Sequence, residues 1–459
     1  MMKRVLIFMV LLGLDSAIAA ELQISLPEPE WLLAPVSQPL TQREAGLQPR
    51  EQGLATRLSP LLTAADYPAA LKVIEAEIDP DSLNPYAKFS PGLNFVIGQI
   101  LLATEQTDRA EAALLAALQQ LPDFVRAHQA LGLLYLRAER YVKAREHISK
   151  AATLGGTNAA LFGYLGYVNQ QTNNFWGAIG AYQQALMLEH DNRQWQQGLL
   201  YALMETRQFG SALALVDELL ALNDSEPGLW LYRARIALQM EDDELALTSL
   251  ELAIRLGDTT LANLQACAQL HLRIGSMPRA IELLKASLVA GVDYNYIDQI
   301  LAFLIPQEQW AYAGELLAGV RQDWSRLSVQ EKSQVLNREA SLALADGRQT
   351  DALAALQQAI ELDPGNAEAL LQLAGVYAKD RRYIQAELLY QRASAHDSAK
   401  ERALLGNAQL AIDQVDYPRA LSLLREVSGR NPARVDLREN IRLLENLVTT
   451  GQNTRRDAP

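Results

Sequence analysis

Alanine recurs at Ala110, Ala144, Ala178, Ala212, Ala246 and Ala280, each 34 residues after the last. A period of that length held through so many cycles restricts the chain to a stack of equal supersecondary units. Four residues beyond the landmarks stand Leu114, Ile148, Tyr182, Val216, Leu250 and Leu284. Seven beyond stand Ala117, Ala151, Ala185, Leu219, Ala253 and Ser287. This spacing puts each set on one face of a helix. Within one period, from Phe124 to Gly156, the series Leu131, Gly132 and Tyr135 precedes a polar break at Ala138 to Arg140, and Tyr141, Ala144, Ile148 and Ala151 follow it. The unit is therefore expected to be a helical hairpin, with the small residues Gly132 and Ala144 where the two backbones approach.

In the next period Phe162, Leu165, Gly166, Phe175, Ala178, Tyr182 and Ala185 resemble the tetratricopeptide repeat (TPR) in residue type and spacing. Asn169 departs from that pattern, which has Tyr there, and Arg233 replaces a Leu. The resemblance implies an all-α solenoid, a right-handed superhelix of antiparallel helix pairs whose first helices line a concave groove for peptides or partner segments. With Ala70 upstream and Ala313, Ala352, Ala386 and Ala420 downstream, about eleven hairpins are expected.

Lys3 and Arg4 precede an apolar run from Val5 to Leu14, and Ala17-Ile18-Ala19 supplies small residues for cleavage. Residues 1–19 read as a secretory signal peptide cleaved near Ala19 or Ala20, since the run is too short to span a membrane. A periplasmic protein with no transmembrane anchor after cleavage is expected. Residues 20–50 carry Pro27, Pro29, Pro35, Pro39 and Pro49 and form a linker or a strap on the first repeats, with Trp31-Leu32-Leu33 favouring docking. An N-terminal array is expected over 51–292, with Asp66-Tyr67-Pro68 opening a second helix as Asp416-Tyr417-Pro418 does later. The phase falters at Pro306 and at Asp323-Trp324-Ser325-Arg326, so 293–333 reads as an irregular repeat and a seam. A C-terminal array over 334–433 follows, with Asp363-Pro364-Gly365-Asn366 as a turn between units. Residues 434–448, with Leu437, Ile441, Leu444 and Leu447 on one face, form a capping helix, and 449–459 a disordered tail.

The formal net charge of −13 argues against nucleic acid or anionic lipid as a partner recognised through bulk charge. Hydrophobic residues make up 49% of the chain, enough for a long core seam. The lone Cys267 excludes an internal disulfide and reads as a small buried hydrophobe. No Gly-rich phosphate loop, Gly-x-Ser-x-Gly or His-Glu-x-x-His is present, and His128, His147, His190, His271 and His396 are not at helical ligand spacing. A non-enzyme without cofactor or metal is expected. The acidic run Glu241 to Glu244 falls at a turn between helices, where acids suit a helix N-terminus.

The first-helix face then carries Arg126, Gln129 and Arg137; Tyr167, Gln170 and Gln171; Gln194, Gln197 and Tyr201; Arg235 and Gln239; and Gln265, Gln269 and Arg273. Glu205 is the one acid among these positions. Amides that donate and accept at once suit an extended backbone or sugar hydroxyls, and arginines suit carboxylates. The expected function is a periplasmic scaffold that holds an extended protein segment within a cell-envelope complex. The alternative is a groove for a glycan or polysaccharide chain in an export or cell-wall assembly system.

Overall fold

The computed structural model describes residues 45–456 apart from 80, 81 and 83. The signal peptide, its cleavage site and Trp31-Leu32-Leu33 lie outside the described residues. Within the described residues the chain is all-α, with no strand. It divides into two compact units, residues 1–256 and 257–459.

Among the described residues unit 1 contains six hairpins: α1 (Gln52–Thr63) with α2 (Tyr67–Glu75), α3 (Pro91–Ala103) with α4 (Thr107–Gln120), and α5 (Val125–Arg137) with α6 (Tyr141–Thr153). Next come α7 (Ala159–Gln171) with α8 (Phe175–Leu188), α9 (Arg193–Glu205) with α10 (Phe209–Leu222), and α11 (Pro227–Gln239) with α12 (Asp243–Arg255). Each hairpin packs on the next, α2 on α3, α4 on α5, and so on to α10 on α11. This is the arrangement of a solenoid.

Unit 2 holds five more: α13 (Leu261–Ile274) with α14 (Met277–Val289), α15 (Tyr294–Leu304) with α16 (Trp310–Gln322), and α17 (Val329–Ala345) with α18 (Gln349–Leu362). After these stand α19 (Ala367–Lys379) with α20 (Tyr383–Ser394), α21 (Asp397–Asp413) with α22 (Tyr417–Arg430), and a single last helix α23 (Leu437–Arg456).

Every landmark alanine from Ala70 to Ala420 is fully buried, because it sits where the helices of its hairpin cross. The contact is close enough to require glycine opposite: a Cβ on Gly132 would lie 2.5 Å from Ile148 Cγ1, and one on Gly166 2.6 Å from Tyr182 Cδ1. At the turn of each hairpin one residue takes the left-handed conformation, at Glu105, Glu139, Asn173, Arg207 and Glu241 and, in unit 2, at Gly275. These recur every 34 residues, so the turn repeats as faithfully as the core. The residue after it returns its amide to the first helix, as Arg140 N–H does to Tyr135 O at 2.8 Å and Asn174 N–H to Asn169 O at 2.8 Å.

Side chains start the second helices. Asp66 caps Ala69 N–H at 3.0 Å and Asp416 caps Arg419 N–H at 3.2 Å. Asp242 does the same for Leu245 N–H at 3.0 Å, which accounts for one acid of the Glu241 to Glu244 run. Asn169, the departure from the repeat pattern, is buried and accepts from Asn174 Nδ2 at 3.1 Å. Arg233, the other departure, pairs with Asp217 of α10 at 2.8 Å and lies over Trp230.

Three boundaries differ from the sequence expectation. The division between compact units follows Leu256, whereas the expected seam at 293–333 lies inside unit 2. There the slip in phase is absorbed by single helical turns at Ile305–Gln307 and Trp324–Arg326, while Leu304, Ala313 and Leu316 keep the core closed. The last helix starts at Leu437 and runs to Arg456, through most of the stretch expected to be a disordered tail. Leu437 and Leu444 are buried on it, but Leu447 is 48% exposed and Val448 packs in its place, because a straight 3.6-residue helix rotates Leu447 off the face. The described end of the Pro-rich stretch packs on α3: Ala45 is buried, and Glu51 accepts from Ser90 N–H at 2.7 Å and from Ser90 Oγ at 2.5 Å.

Candidate functional site

The expected face of unit 1 is carried by α5, α7, α9 and α11. Arg126, Gln129, Tyr167, Gln170, Gln194, Gln197, Tyr201 and Arg235 are partly exposed there, and Arg137, Gln171, Gln239 and Glu205 are exposed. Tyr167 and Tyr201 occupy the same position in successive repeats. Each ring meets the first aromatic of the preceding hairpin's second helix edge-on: Tyr167 meets Tyr141 at 6.2 Å and 74°, and Tyr201 meets Phe175 at 6.0 Å and 64°. Such pairs are favoured edge to face. Burial, followed by the neighbouring Tyr141, pushes the Tyr167 phenol up to about 12, so it is a neutral hydroxyl at any physiological pH.

Gln170 differs from its neighbours. Its Oε1 accepts from the Tyr182 hydroxyl at 3.1 Å, so its carbonyl serves the hairpin rather than an incoming ligand. Periodicity placed it on the face because its position is correct; the reach of the Tyr182 phenol beneath it is not visible in spacing. Gln194 contributes a face side chain while its backbone amide is held by Asn192 Oδ1 at 3.1 Å. On α13 of unit 2, Gln265 and Gln269 are partly exposed and Arg273 is exposed, and Gln269 Nε2 donates to the Tyr296 hydroxyl at 3.3 Å. Cys267 of the same helix is fully buried.

Two polar clusters lie outside the expected face. In unit 1 His128 Nδ1 and His147 Nδ1 stand 2.9 Å apart, although the residues are 19 positions apart and on different helices. Beside them Glu111 accepts from the Tyr135 hydroxyl at 2.7 Å and from Arg140 at 2.8 Å. Burial works to raise the Glu111 carboxyl, but these two bonds hold it below its usual value.

In unit 2 the first helices carry a run of ion pairs: Arg338 of α17 meets Asp298 of α15, and Arg402 of α21 meets Glu368 of α19. The signal for the second pair was present, since residues 368 and 402 are 34 apart with opposite charge.

Family models for the tetratricopeptide repeat match residues 95–159 and 198–259, and a TPR repeat model matches residues 344–380. The chain therefore carries tetratricopeptide repeats in both units. Proteins of this kind are generally non-enzymatic scaffolds that bind protein partners, and neither model is that of a catalytic family. No curated protein matches the chain.

Among solved structures, YrrB, described as a TPR protein with an unusual peptide-binding site, is 21% identical; the match covers 38% of this chain and 89% of YrrB at a TM-score of 0.35. The Naa15/Naa10 complex bound to HypK-THB gives 16% identity over 82% of this chain and 68% of the matched chain, at a TM-score of 0.41. Yeast Tom70 gives 15% over 80% and 96%, at 0.33. Likeness at this level does not bear on what the present chain binds.

Proposed function

We propose that the first-helix face of unit 1 holds an extended segment of a partner protein, and that the chain acts as a non-enzymatic scaffold in a periplasmic cell-envelope complex. The observation that carries the binding reading is the repeated aromatic pair. Tyr167 and Tyr201 remain partly exposed while Tyr141 and Phe175 fix their rings, so two anchors 34 residues apart are set before a ligand arrives. Rigid anchors reduce the ordering cost of binding. Gln171, Gln194 and Gln197 beside them carry amides that match a peptide backbone, each such bond contributing about 0.5–1.5 kcal/mol net. The periplasmic reading rests on the basic, apolar and small-residue series of residues 1–19.

Photo-crosslinking in living cells tests the proposal. A benzophenone amino acid at position 197 should give an adduct to a protein segment, and the adduct should fall when Tyr167 and Tyr201 are both replaced by Ala. The same probe at Gln183, exposed on α8, should not give it. Equal adducts from both positions, or none from position 197, would remove the groove from the account.

A further inference from the structure

We propose that unit 1 pairs with a second copy of the chain through the outward face of α8, a surface that uses none of the first-helix face residues. From Ala151 to Leu188 the sequence has no Asp, Glu, Lys, Arg or His, although charged residues make up 21% of the chain. The α7–α8 hairpin lies wholly within that run. Its second helix exposes Trp176, Gly180, Gln184 and Met187, whose spacing sets them on one stripe. Trp176 is 68% exposed and Met187 84%, and among the described residues no other tryptophan is exposed. Apolar side chains grouped on one face, rather than scattered singly, mark an interaction site. Gly180 supplies an independent reason. Glycine weakens a helix interior, and at Gly166 the hairpin crossing demands it, whereas a Cβ on Gly180 would meet nothing within 4 Å. The unit's own packing therefore does not call for glycine there. A second helix crossing at Gly180 does, because two backbones approach closely only where no side chain intervenes.

The charge on either side of the stripe identifies the occupant as another copy. Equivalent positions of successive second helices carry Lys150 on α6, Gln184 on α8 and Glu218 on α10, all exposed. At this level the surface is positive on one flank, neutral along its middle and negative on the other. A two-fold axis running along α8 lays α6 of one copy over α10 of the other, as an isologous contact requires. Lys150 then meets Glu218 of the second copy and Glu218 meets its Lys150, while Trp176, Gly180 and Met187 meet their own counterparts. Lys150 pairs with Asp123 at 3.2 Å, and that exposed bridge leaves an ammonium with three donors able to take a second carboxylate. An axis across α8 would instead lay each flank on its own kind. Two chains of formal net charge −13 repel in general, and here they can meet without setting like charges together. Three helices about 20 Å long and about 10 Å apart give a contact at the small end of specific interfaces, so the dimer should dissociate in the micromolar range.

Sedimentation equilibrium of the full chain from about 1 to 200 µM should show a monomer–dimer equilibrium with a dissociation constant of roughly tens of micromolar. Trp176→Ala should raise that constant at least tenfold. Gly180→Gln should do the same while the dilute monomer melts at or above the wild-type temperature, since glutamine is the better helix former. Lys150→Glu and Glu218→Lys should each weaken self-association at least tenfold. An equimolar mixture of those two variants should recover it as a heterodimer, a result that a structural role for either residue within one chain would not produce. A benzophenone at Gln183 should crosslink the chain to itself, an adduct distinct from the partner segment captured at position 197. Tyr167→Ala with Tyr201→Ala should leave the self-adduct unchanged, so failure of either surface leaves the other standing. The proposal is overturned by a chain that stays monomeric to 200 µM, by a dimer indifferent to Trp176→Ala and Gly180→Gln, or by a mixture of the charge variants that associates no more tightly than each alone.

Discussion

His128 Nδ1 and His147 Nδ1 stand 2.9 Å apart, one on each helix of the α5–α6 hairpin. His128 Nε2 lies 2.9 Å from the Pro122 carbonyl, so Nε2–H donates there, Nδ1 accepts, and His147 supplies its own Nδ1–H. A proton on His128 Nδ1 would set N–H against N–H.

Burial foremost holds both imidazoles below their ordinary 6.5. Lys150 lowers His128 further while Asp123 and Glu146 oppose it; His147 feels His128 and Lys143 in the lowering direction and Glu146 and Glu111 in the other. A depressed folded pKa gives stability that is present above 6.5 and lost as pH falls through the lower folded value. The urea midpoint of unfolding should therefore drop between pH 7.5 and pH 5, with a slope of at most about 1.4 kcal/mol per pH unit for each imidazole. His147→Gln keeps an N–H for His128 and removes one titration, so its slope should be shallower. An identical slope would assign the pH dependence to other groups.

The crossing of α7 and α8 should tolerate no added volume. Gly166→Ala puts a methyl 2.6 Å from a Tyr182 ring that Trp195 stacks from beyond at 6.3 Å, so the ring cannot yield cheaply. Both this change and Ala178→Arg, at a fully buried position, should lower stability by about 1–3 kcal/mol or more. Urea denaturation followed by circular dichroism checks it, and an unchanged midpoint would mean the crossing is looser than described.

Gly275 isolates the backbone contribution of the turn. Its φ is +82° and a Cβ would meet nothing within 4 Å, so Gly275→Ala should destabilise by roughly 1–2 kcal/mol through conformation alone. Arg207, at φ +56° in the equivalent place, already bears that strain, and Arg207→Gly should change stability by less than about 1 kcal/mol, because relief is offset by a freer unfolded chain. Thermal melts of the two variants should differ clearly in sign or size.

The hairpins were legible because a residue such as Ala178 must be small in every repeat for two backbones to approach, and that demand writes a period into the chain. The face was legible to the same extent: Tyr167 and Tyr201 stand 34 apart. What the period cannot convey is what a side chain meets across a hairpin. Gln170 stands on the face by its position in the repeat and is held by Tyr182, while His128 and His147 have no sequence spacing that betrays their contact. Leu447 obeyed the apolar pattern and still turned outward. The unit boundary after Leu256 was hidden because phase continues unbroken through Ala246 and Ala280, whereas the visible slip near Pro306 is bridged by packing.

Export has its own test. The mature protein recovered from a periplasmic fraction should begin near Ala20 or Glu21 when its N-terminus is sequenced, because Ala17-Ile18-Ala19 supplies the cleavage pattern. A protein that keeps Met1 and fractionates with the cytoplasm would remove the localisation proposal and leave the binding face untouched.

The central claim, that the aromatic-braced face of unit 1 grips an extended protein segment, is tested most directly by calorimetry with the crosslinked segment as a synthetic peptide. Replacing both Tyr167 and Tyr201 by Ala should weaken binding by at least about 2 kcal/mol, a roughly thirtyfold loss, with helicity by circular dichroism unchanged. Equal affinity in wild type and the double variant at equal helicity would contradict the account.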